Sequence, residues 1–143
     1  MKKLTAMFCL MVTVLLGSTG FSNPTWAKDV YFSSSSRSYT KDVYFSSSSR
    51  SYTTDLYVTE GNCSGADIEV TTRSASYITD IYISSSSRSY TKDIYISSSS
   101  RSYTDDLYIT SSRSRGQYEI CFPRGFEYDE RHIAAIYILL LKK

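Results

Sequence analysis

The sequence predicts an all-β single domain of short tandem antiparallel strands, and three observations indicate it. An acidic residue followed by an apolar, an aromatic and an apolar residue recurs, with Asp29, Asp42 and Asp55 each 13 residues apart. Apolar and polar residues alternate with the two-residue period of a strand, and Val, Ile, Tyr, Phe and Thr are concentrated there. Serine runs follow the strands and predict turns, because serine side chains compete for nearby backbone hydrogen bonds.

Nine copies of this motif predict nine strands, the last of them degenerate. They are Asp29-Val30-Tyr31-Phe32, Asp42-Val43-Tyr44-Phe45, Asp55-Leu56-Tyr57-Val58, Asp67-Ile68-Glu69-Val70, Asp80-Ile81-Tyr82-Ile83, Asp93-Ile94-Tyr95-Ile96, Asp106-Leu107-Tyr108-Ile109, Glu119-Ile120-Cys121-Phe122 and Ala135-Ile136-Tyr137-Ile138. An internal period of this kind is typical of an array in which neighbouring units complete each other's core.

The length of the unit favours one architecture over another. A 13-residue unit holds one strand of about six to eight residues and a tight reversal. It is too short for a strand-helix-strand crossover, so we expect an antiparallel up-and-down sheet or barrel. A compact β-solenoid is the alternative, although an odd period leaves one out-of-phase residue in every rung.

The N-terminal segment predicts export. Lys2 and Lys3 precede an apolar run from Leu4 to Gly17, and Ala27 stands directly before the first repeat. This pattern is typical of a secretory signal peptide, because a run of about 14 apolar residues is short for the roughly 20 that a membrane span needs. We therefore expect a signal peptide at residues 1–27, a domain at 28–143, and a secreted or periplasmic protein without stable membrane insertion after cleavage.

Charge argues against one class of partner. Of the 16 Lys and Arg residues, Lys2 and Lys3 lie in the signal peptide, so 14 basic residues face 14 acidic ones in the mature chain. Electrostatic binding of nucleic acid requires a basic surplus, usually gathered in a patch. A nucleic-acid partner is therefore not expected.

The repeat is interrupted at two places, and both carry a cysteine nearby. Cys63 lies in the first interruption, residues 60–65, and Cys121 precedes the second, the charged loop at residues 123–132. In an oxidising compartment the two could form a disulfide, with two buried thiols as the alternative. The apolar run at residues 133–141 predicts a strand buried on both faces, with a short helix as the alternative.

The repeats also resemble a known family. Segments of Arg-Ser-Tyr precede the strands at residues 37–39, 50–52, 88–90 and 101–103, and with the following Val-Tyr-Phe or Ile-Tyr-Ile strands they resemble the septoil-knot domain family. The resemblance covers nearly all of residues 28–143. It implies a small β domain whose backbone forms a seven-crossing knot, and it implies no activity, since the family's members are functionally uncharacterised.

Candidate chemistry is sparse, and each candidate has a structural alternative. The repeated aspartates could bind calcium, but we expect them to pair with the arginine of each unit or to accept hydrogen bonds at strand starts, because the glycines of a calcium loop are missing. Tyrosines in register, such as Tyr44, Tyr82 and Tyr95, could stack on sugars of a glycan or cell wall, although they also suit the core.

An enzyme is not expected, because the mature chain has one histidine and no nucleophile motif. No cofactor or metal is predicted. A metal site or active site in the loop at 123–132, using Glu127, Asp129, Glu130 and His132, is an alternative, although such a cluster is more often a solvated loop. The sequence thus predicts a non-enzymatic, structurally robust envelope or surface-interaction protein, or else a glycan-binding module.

Overall fold

The structure of the protein is a computed structural model that describes residues 9–14, 28–72 and 79–142. Nine strands and a C-terminal helix make up this part of the chain. The strands are β1 (Cys9–Val14), β2 (Lys28–Phe32), β3 (Lys41–Phe45), β4 (Thr54–Glu60), β5 (Ile68–Thr71), β6 (Thr79–Ser84), β7 (Lys92–Ser97), β8 (Asp105–Thr110) and β9 (Tyr118–Phe122). A 3-10 turn spans Arg113–Arg115, and helix α1 (Glu130–Ile136) continues as a π-helical segment, Tyr137–Leu141.

The predicted antiparallel sheet is wrong, and so is the solenoid alternative. Strands β2 to β9 form one sheet in which every pair is parallel, in the order β5-β9-β4-β8-β3-β7-β2-β6. Strand β1 pairs antiparallel with both β5 and β6 and closes the sheet into a barrel. Consecutive strands are therefore never neighbours within the run from β2 to β5, because a strand from the second half of the chain lies between them.

Short strands explain why a parallel sheet needs no helical crossover here. A five-residue strand such as β2 is only about 17 Å long. The connection from β2 to β3, residues 33–40, reaches up to about 26 Å when extended, which is enough to return to the start of the sheet and pass one intervening strand. Antiparallel pairing was expected because the usual rule for parallel crossovers applies to longer strands. An eight-residue connection would be too short to return along a longer strand.

A constant stagger relates neighbouring strands over most of the sheet. The tyrosine of one strand lies opposite the aspartate of the next, as in Tyr95 and Asp42, Tyr44 and Asp106, or Tyr108 and Asp55. Equivalent residues are thus displaced by two positions at each step. An even displacement keeps every apolar residue on the same face, because the side chains of a strand alternate with a period of two.

The interior of the barrel holds the main hydrophobic core. The residue after each acidic position is fully or almost fully buried in this core, and these residues are Val30, Val43, Leu56, Ile68, Ile81, Ile94, Leu107 and Ile120. Four consecutive residues of α1, from Ile133 to Ile136, are at most 2% exposed and belong to the same cluster. A helix that is buried on all sides must be enclosed, so the barrel strands surround it.

Contacts at both ends of the strands fix the path of this helix. At its start, the Arg131 guanidinium lies 5.7 Å from the centre of the Phe32 ring, at the end of β2. At its end, Lys28 at the start of β2 donates to the Leu139 carbonyl over 3.2 Å, and the Lys142 ammonium lies 2.5 Å from the Asp105 carboxylate. The helical segment therefore runs through the interior antiparallel to the strands.

The ninth predicted strand, Ala135-Ile136-Tyr137-Ile138, is wrong, and the helix alternative for residues 133–141 is confirmed. Asp129 caps the helix by accepting hydrogen bonds from the backbone N–H groups of Arg131 and His132. Periodicity could not decide this segment, because a run that is apolar throughout fits a buried helix as well as a buried strand. Aspartate is a preferred N-cap residue, so Asp129 is a feature of the sequence that could have identified the start of this helix.

The predicted signal peptide lies mostly outside the described residues. Within residues 1–27 the structure describes only Cys9–Val14, which form β1 between β5 and β6. In the described ranges, no helix has the length and apolar character required to cross a membrane.

Candidate functional site

Each complete repeat builds the same hydrogen-bonded turn before its strand. In the unit that leads into β7, Ser87 Oγ donates to Asp93 Oδ2 over 2.5 Å and Thr91 Oγ1 donates to Asp93 Oδ1 over 2.7 Å. Thr91 Oγ1 also accepts from the Arg88 backbone N–H at 2.9 Å. The units that contain Asp42, Asp55 and Asp106 repeat this arrangement of one serine and one threonine on each carboxylate.

These four aspartates are therefore structural. Each is between 5% and 8% exposed, and each has hydroxyl donors on both carboxylate oxygens. A carboxylate can be buried when donors replace the water that it loses. The prediction of hydrogen bonding at strand starts is confirmed, whereas the alternative pairing with the arginine of each unit is not what the structure shows at these four carboxylates.

Asp80 is the exception that shows what the threonine does. Ile78 stands two residues before Asp80, where the complete units have threonine. Asp80 Oδ1 is buried and is one of two buried side-chain polar atoms in the described part of the chain that lack a hydrogen-bond partner. The missing hydroxyl in the sequence thus matches an unsatisfied oxygen in the structure.

In three of the four complete repeats the arginine side chain binds a tyrosine instead. Nη1 of Arg37, Arg88 and Arg101 donates to the hydroxyl of the tyrosine two residues later, over 3.0, 2.8 and 2.9 Å. These tyrosines, with Tyr52 of the fourth unit, are the most exposed aromatic residues of the described chain: Tyr39 is 57% exposed, Tyr52 60%, Tyr90 62% and Tyr103 57%. We call the turns at residues 37–39, 50–52, 88–90 and 101–103 the Arg-Tyr turns.

The sheet order brings the four Arg-Tyr turns together. They precede β3, β4, β7 and β8, and these four strands are consecutive in the sheet in the order β7-β3-β8-β4. Equivalent positions are displaced by about 4.8 Å across the sheet and about 6.6 Å along the strand, which places them about 8 Å apart. The turns therefore form one continuous row, although they come from two distant parts of the chain.

Sequence reasoning placed the candidate ligand surface elsewhere. Tyr44, Tyr82 and Tyr95 lie on β3, β6 and β7 and are only partly exposed, each next to the position of an aspartate on a neighbouring strand. Their predicted role in ligand binding stays a prediction. The turn tyrosines are in the same repeated unit, but their proximity depends on strand order, which the repeat itself does not reveal.

The charged loop at 123–132 is organised around the start of the helix. His132 Nδ1 lies 2.8 Å from Asp129 Oδ1 and 3.1 Å from the Asp129 backbone nitrogen, which completes a capping box. Burial raises the pKa of Asp129, but hydrogen bonds from the side chain and backbone of His132 outweigh this effect and hold the pKa below its ordinary value of 3.8. Phe126 packs edge-on against the His132 ring, with 5.8 Å between ring centres.

The proposed metal ligands of this loop do not converge within the described chain. Among the described residues, no group of three or more His, Cys, Asp or Glu side chains is arranged to hold a metal ion. Glu127 and Glu130 are exposed, while Asp129 and His132 contact each other as the helix cap. What this arrangement supports chemically is helix capping.

The two repeat interruptions meet at the cysteines. The sulfur atoms of Cys63 and Cys121 lie 1.99 Å apart and the Cα atoms 5.3 Å apart, so the predicted disulfide is formed. Cys63 and Cys121 pack with Ala66 in a small second core. Phe122 beside it stacks on Tyr128 with 4.1 Å between ring centres, and the pKa of Tyr128 is raised by burial and by the nearby Glu60 carboxylate.

Comparisons of this chain with family models, with curated proteins and with solved structures find no match. The resemblance to the septoil-knot family therefore stays a prediction, as does the knot that it implies.

Proposed function

We propose that this chain is an exported, non-enzymatic surface-interaction domain that binds a repeating ligand along the row of Arg-Tyr turns. The row precedes β7, β3, β8 and β4, none of which pairs with β1, so the proposal does not depend on the strand that lies within the predicted signal peptide. One observation carries the proposal: the four most exposed tyrosines of the described chain lie before four adjacent strands. Grouped exposed aromatic surface marks interaction sites, whereas single exposed apolar residues need no explanation.

The chemistry of the row favours a glycan over a compact small molecule. Tyrosine rings stack on the apolar faces of flat ligands and keep their hydroxyl groups in water. A regular step of about 8 Å between equivalent turns suits an extended polymer that presents the same group many times. A cell-wall or surface polysaccharide is a ligand of this kind.

The barrel supplies a rigid support for such a surface. The buried aspartate networks fix the turns to the strands, and the disulfide and the enclosed helix stabilise the barrel that carries them. Rigid turns bind at lower entropic cost, because fewer side chains and loops must be ordered on association. We therefore also propose that the domain unfolds slowly and resists proteolysis, which a protease digestion at native conditions tests directly.

The binding proposal is tested by retention on insoluble cell-wall polysaccharide. The variant to compare with the wild type replaces Tyr39, Tyr52, Tyr90 and Tyr103 with Ser, and a matched control replaces the strand tyrosines Tyr44, Tyr82 and Tyr95 with Ser. We expect the turn variant to lose retention. Retention that survives in the turn variant, or that is lost only in a folded strand-tyrosine variant, would place the binding surface elsewhere.

A further inference from the structure

We propose that the ligand of the Arg-Tyr row is a linear acidic polysaccharide whose carboxylates are carried directly on the sugar rings. This inference rests on the proposed function and adds the ligand class. Each turn would stack a sugar face on its tyrosine and bind the carboxylate of that sugar with its arginine.

The arginine heads are available for a ligand. A guanidinium carries five N–H donors, and Arg37, Arg88 and Arg101 each use Nη1 to bind the hydroxyl of the tyrosine in their own turn. The Arg88 guanidinium also lies 5.9 Å from the centre of the Tyr90 ring. All three arginines are exposed. The remaining donors form a fork that matches the two oxygens of a carboxylate.

The aspartates that precede the buried apolar residue of these units are hidden beneath the row, and the further acidic residue of one unit, Asp105, is paired with Lys142. Asp42, Asp55, Asp93 and Asp106 are buried and bound to hydroxyl groups, so their charges do not neutralise the surface arginines by direct contact. Lys41 and Lys92 add exposed positive charge at the starts of β3 and β7. Residues 28–143 are formally neutral, yet they present a basic strip along the starts of four adjacent strands, a patch that composition alone did not predict.

The spacing within a turn distinguishes an acidic sugar from other polyanions. In three turns the guanidinium is hydrogen-bonded to the tyrosine hydroxyl within 3.0 Å, so the charged donors lie at the edge of the stacking face. A uronic acid carries its carboxylate on the ring that would stack. In single-stranded nucleic acid the ribose separates the phosphate from the base, so one turn does not match both groups of one nucleotide.

The experiment uses the full chain, purified without reductant, and affinity electrophoresis in gels that contain one of three probes. The probes are polygalacturonate, the same polymer fully methyl-esterified, and an oligodeoxythymidylate. We expect retardation by polygalacturonate that weakens by about tenfold or more when the salt concentration rises from about 0.05 to 0.3 M, as screening predicts. The ester and the oligonucleotide should retard the protein much less.

Two double variants, each of which loses two positive charges, test whether binding to polygalacturonate depends on the Arg-Tyr row. Arg37→Gln with Arg88→Gln removes two charges from the row, and we expect binding to polygalacturonate to fall by about tenfold. Arg124→Gln with Arg131→Gln removes two charges at the opposite ends of the strands, and binding should stay within about twofold. All these side chains are exposed, and unchanged circular dichroism and melting temperature verify the fold.

The outcomes separate the two proposals. Equal binding to the ester would overturn the acidic-ligand inference while leaving a glycan-binding row in place. Tighter binding to the oligonucleotide, equal loss in both variant pairs, or no binding to polygalacturonate would also overturn the inference. Loss of retention on insoluble cell-wall polysaccharide in the turn-tyrosine variant tests the proposed function independently of charge.

Discussion

Replacing Asp93 with Ala should destabilise the protein strongly, because this buried carboxylate joins a turn to the start of β7. Asp93 is 5% exposed and accepts hydrogen bonds from Ser87 Oγ and Thr91 Oγ1, at 2.5 and 2.7 Å. Removing it leaves the Ser87 hydroxyl without this acceptor, whereas Thr91 keeps its bonds to the Arg88 backbone.

The expected cost follows from the Ser87 bond and from part of the Thr91 bond, because the single Thr91 hydroxyl proton also reaches the Arg88 carbonyl. A hydrogen bond to a charged group contributes about 1.5–3 kcal/mol, and the mutation recovers part of this because the carboxylate no longer has to be desolvated. We therefore expect the free energy of unfolding to fall by about 2–4 kcal/mol. The measurement is equilibrium unfolding in guanidinium chloride followed by circular dichroism, with samples approached from the folded and unfolded sides until both agree.

Asp80→Ala is the matched control, because Asp80 occupies the same position in a unit that lacks the threonine. Its Oδ1 atom is buried without a partner, so less is lost on removing the carboxylate. We expect Asp80→Ala to lower the free energy of unfolding by no more than half as much as Asp93→Ala does. Equal losses at the two positions would refute the idea that the hydroxyl network stabilises the repeat.

Three further predictions concern other parts of the fold. Gly116→Ala should destabilise the protein by about 1–3 kcal/mol, because the new Cβ would lie 2.7 Å from a side-chain carbon of β4; a thermal melt equal to the wild type would contradict this. Replacing Cys63 and Cys121 with Ser should cost up to about 4 kcal/mol for a separation of 58 residues, measured by chemical denaturation, and a loss near zero would argue against the bond. Asp129→Ala should cost about 1 kcal/mol through loss of the helix cap. The Asp129 pKa is lowered in the folded state, so its contribution is complete above the ordinary value of 3.8 and is lost as the pH falls through the folded pKa. The difference in melting temperature between the wild type and Asp129→Ala should therefore shrink in strong acid, and a difference that grows there would contradict the assignment.

The strands were predictable from the sequence, but their partners were not. Eight predicted strands are present because alternation of Val, Tyr and Phe after an acidic residue dictates local structure within a few residues. Strand direction depends on the path of residues 33–40. A parallel arrangement requires this segment to run back along the barrel, whereas an antiparallel one requires it to reverse the chain at once. The local turn signals in the sequence are compatible with both paths. The short strands made the longer return feasible, which the general rule for parallel crossovers did not anticipate.

The residues of the candidate site were likewise predictable from the sequence, whereas their arrangement in space was not. Exposed tyrosines and arginines in each turn were visible in the repeat, and so were the serine, threonine and aspartate that form the network beneath them. Their assembly into a row depends on the insertion of β7 and β8 beside β3 and β4, which is a long-range property of the chain. The disulfide was one of two alternatives that the sequence left open, because Cys63 and Cys121 are the only cysteines outside the predicted signal peptide.

The central claim is that the two halves of the chain interleave, so that turns distant in sequence become neighbours. Spin labels placed at Tyr39 and Tyr90 test it most directly, by dipolar broadening in frozen solution, with labels at Tyr39 and Tyr52 as the comparison. Strands β3 and β7 are adjacent whereas β8 separates β3 from β4, so equivalent positions lie about 8 Å apart in the first pair and about 16 Å apart in the second. The account predicts stronger broadening for Tyr39 with Tyr90. Stronger broadening for Tyr39 with Tyr52, which are consecutive in the repeat, would contradict it.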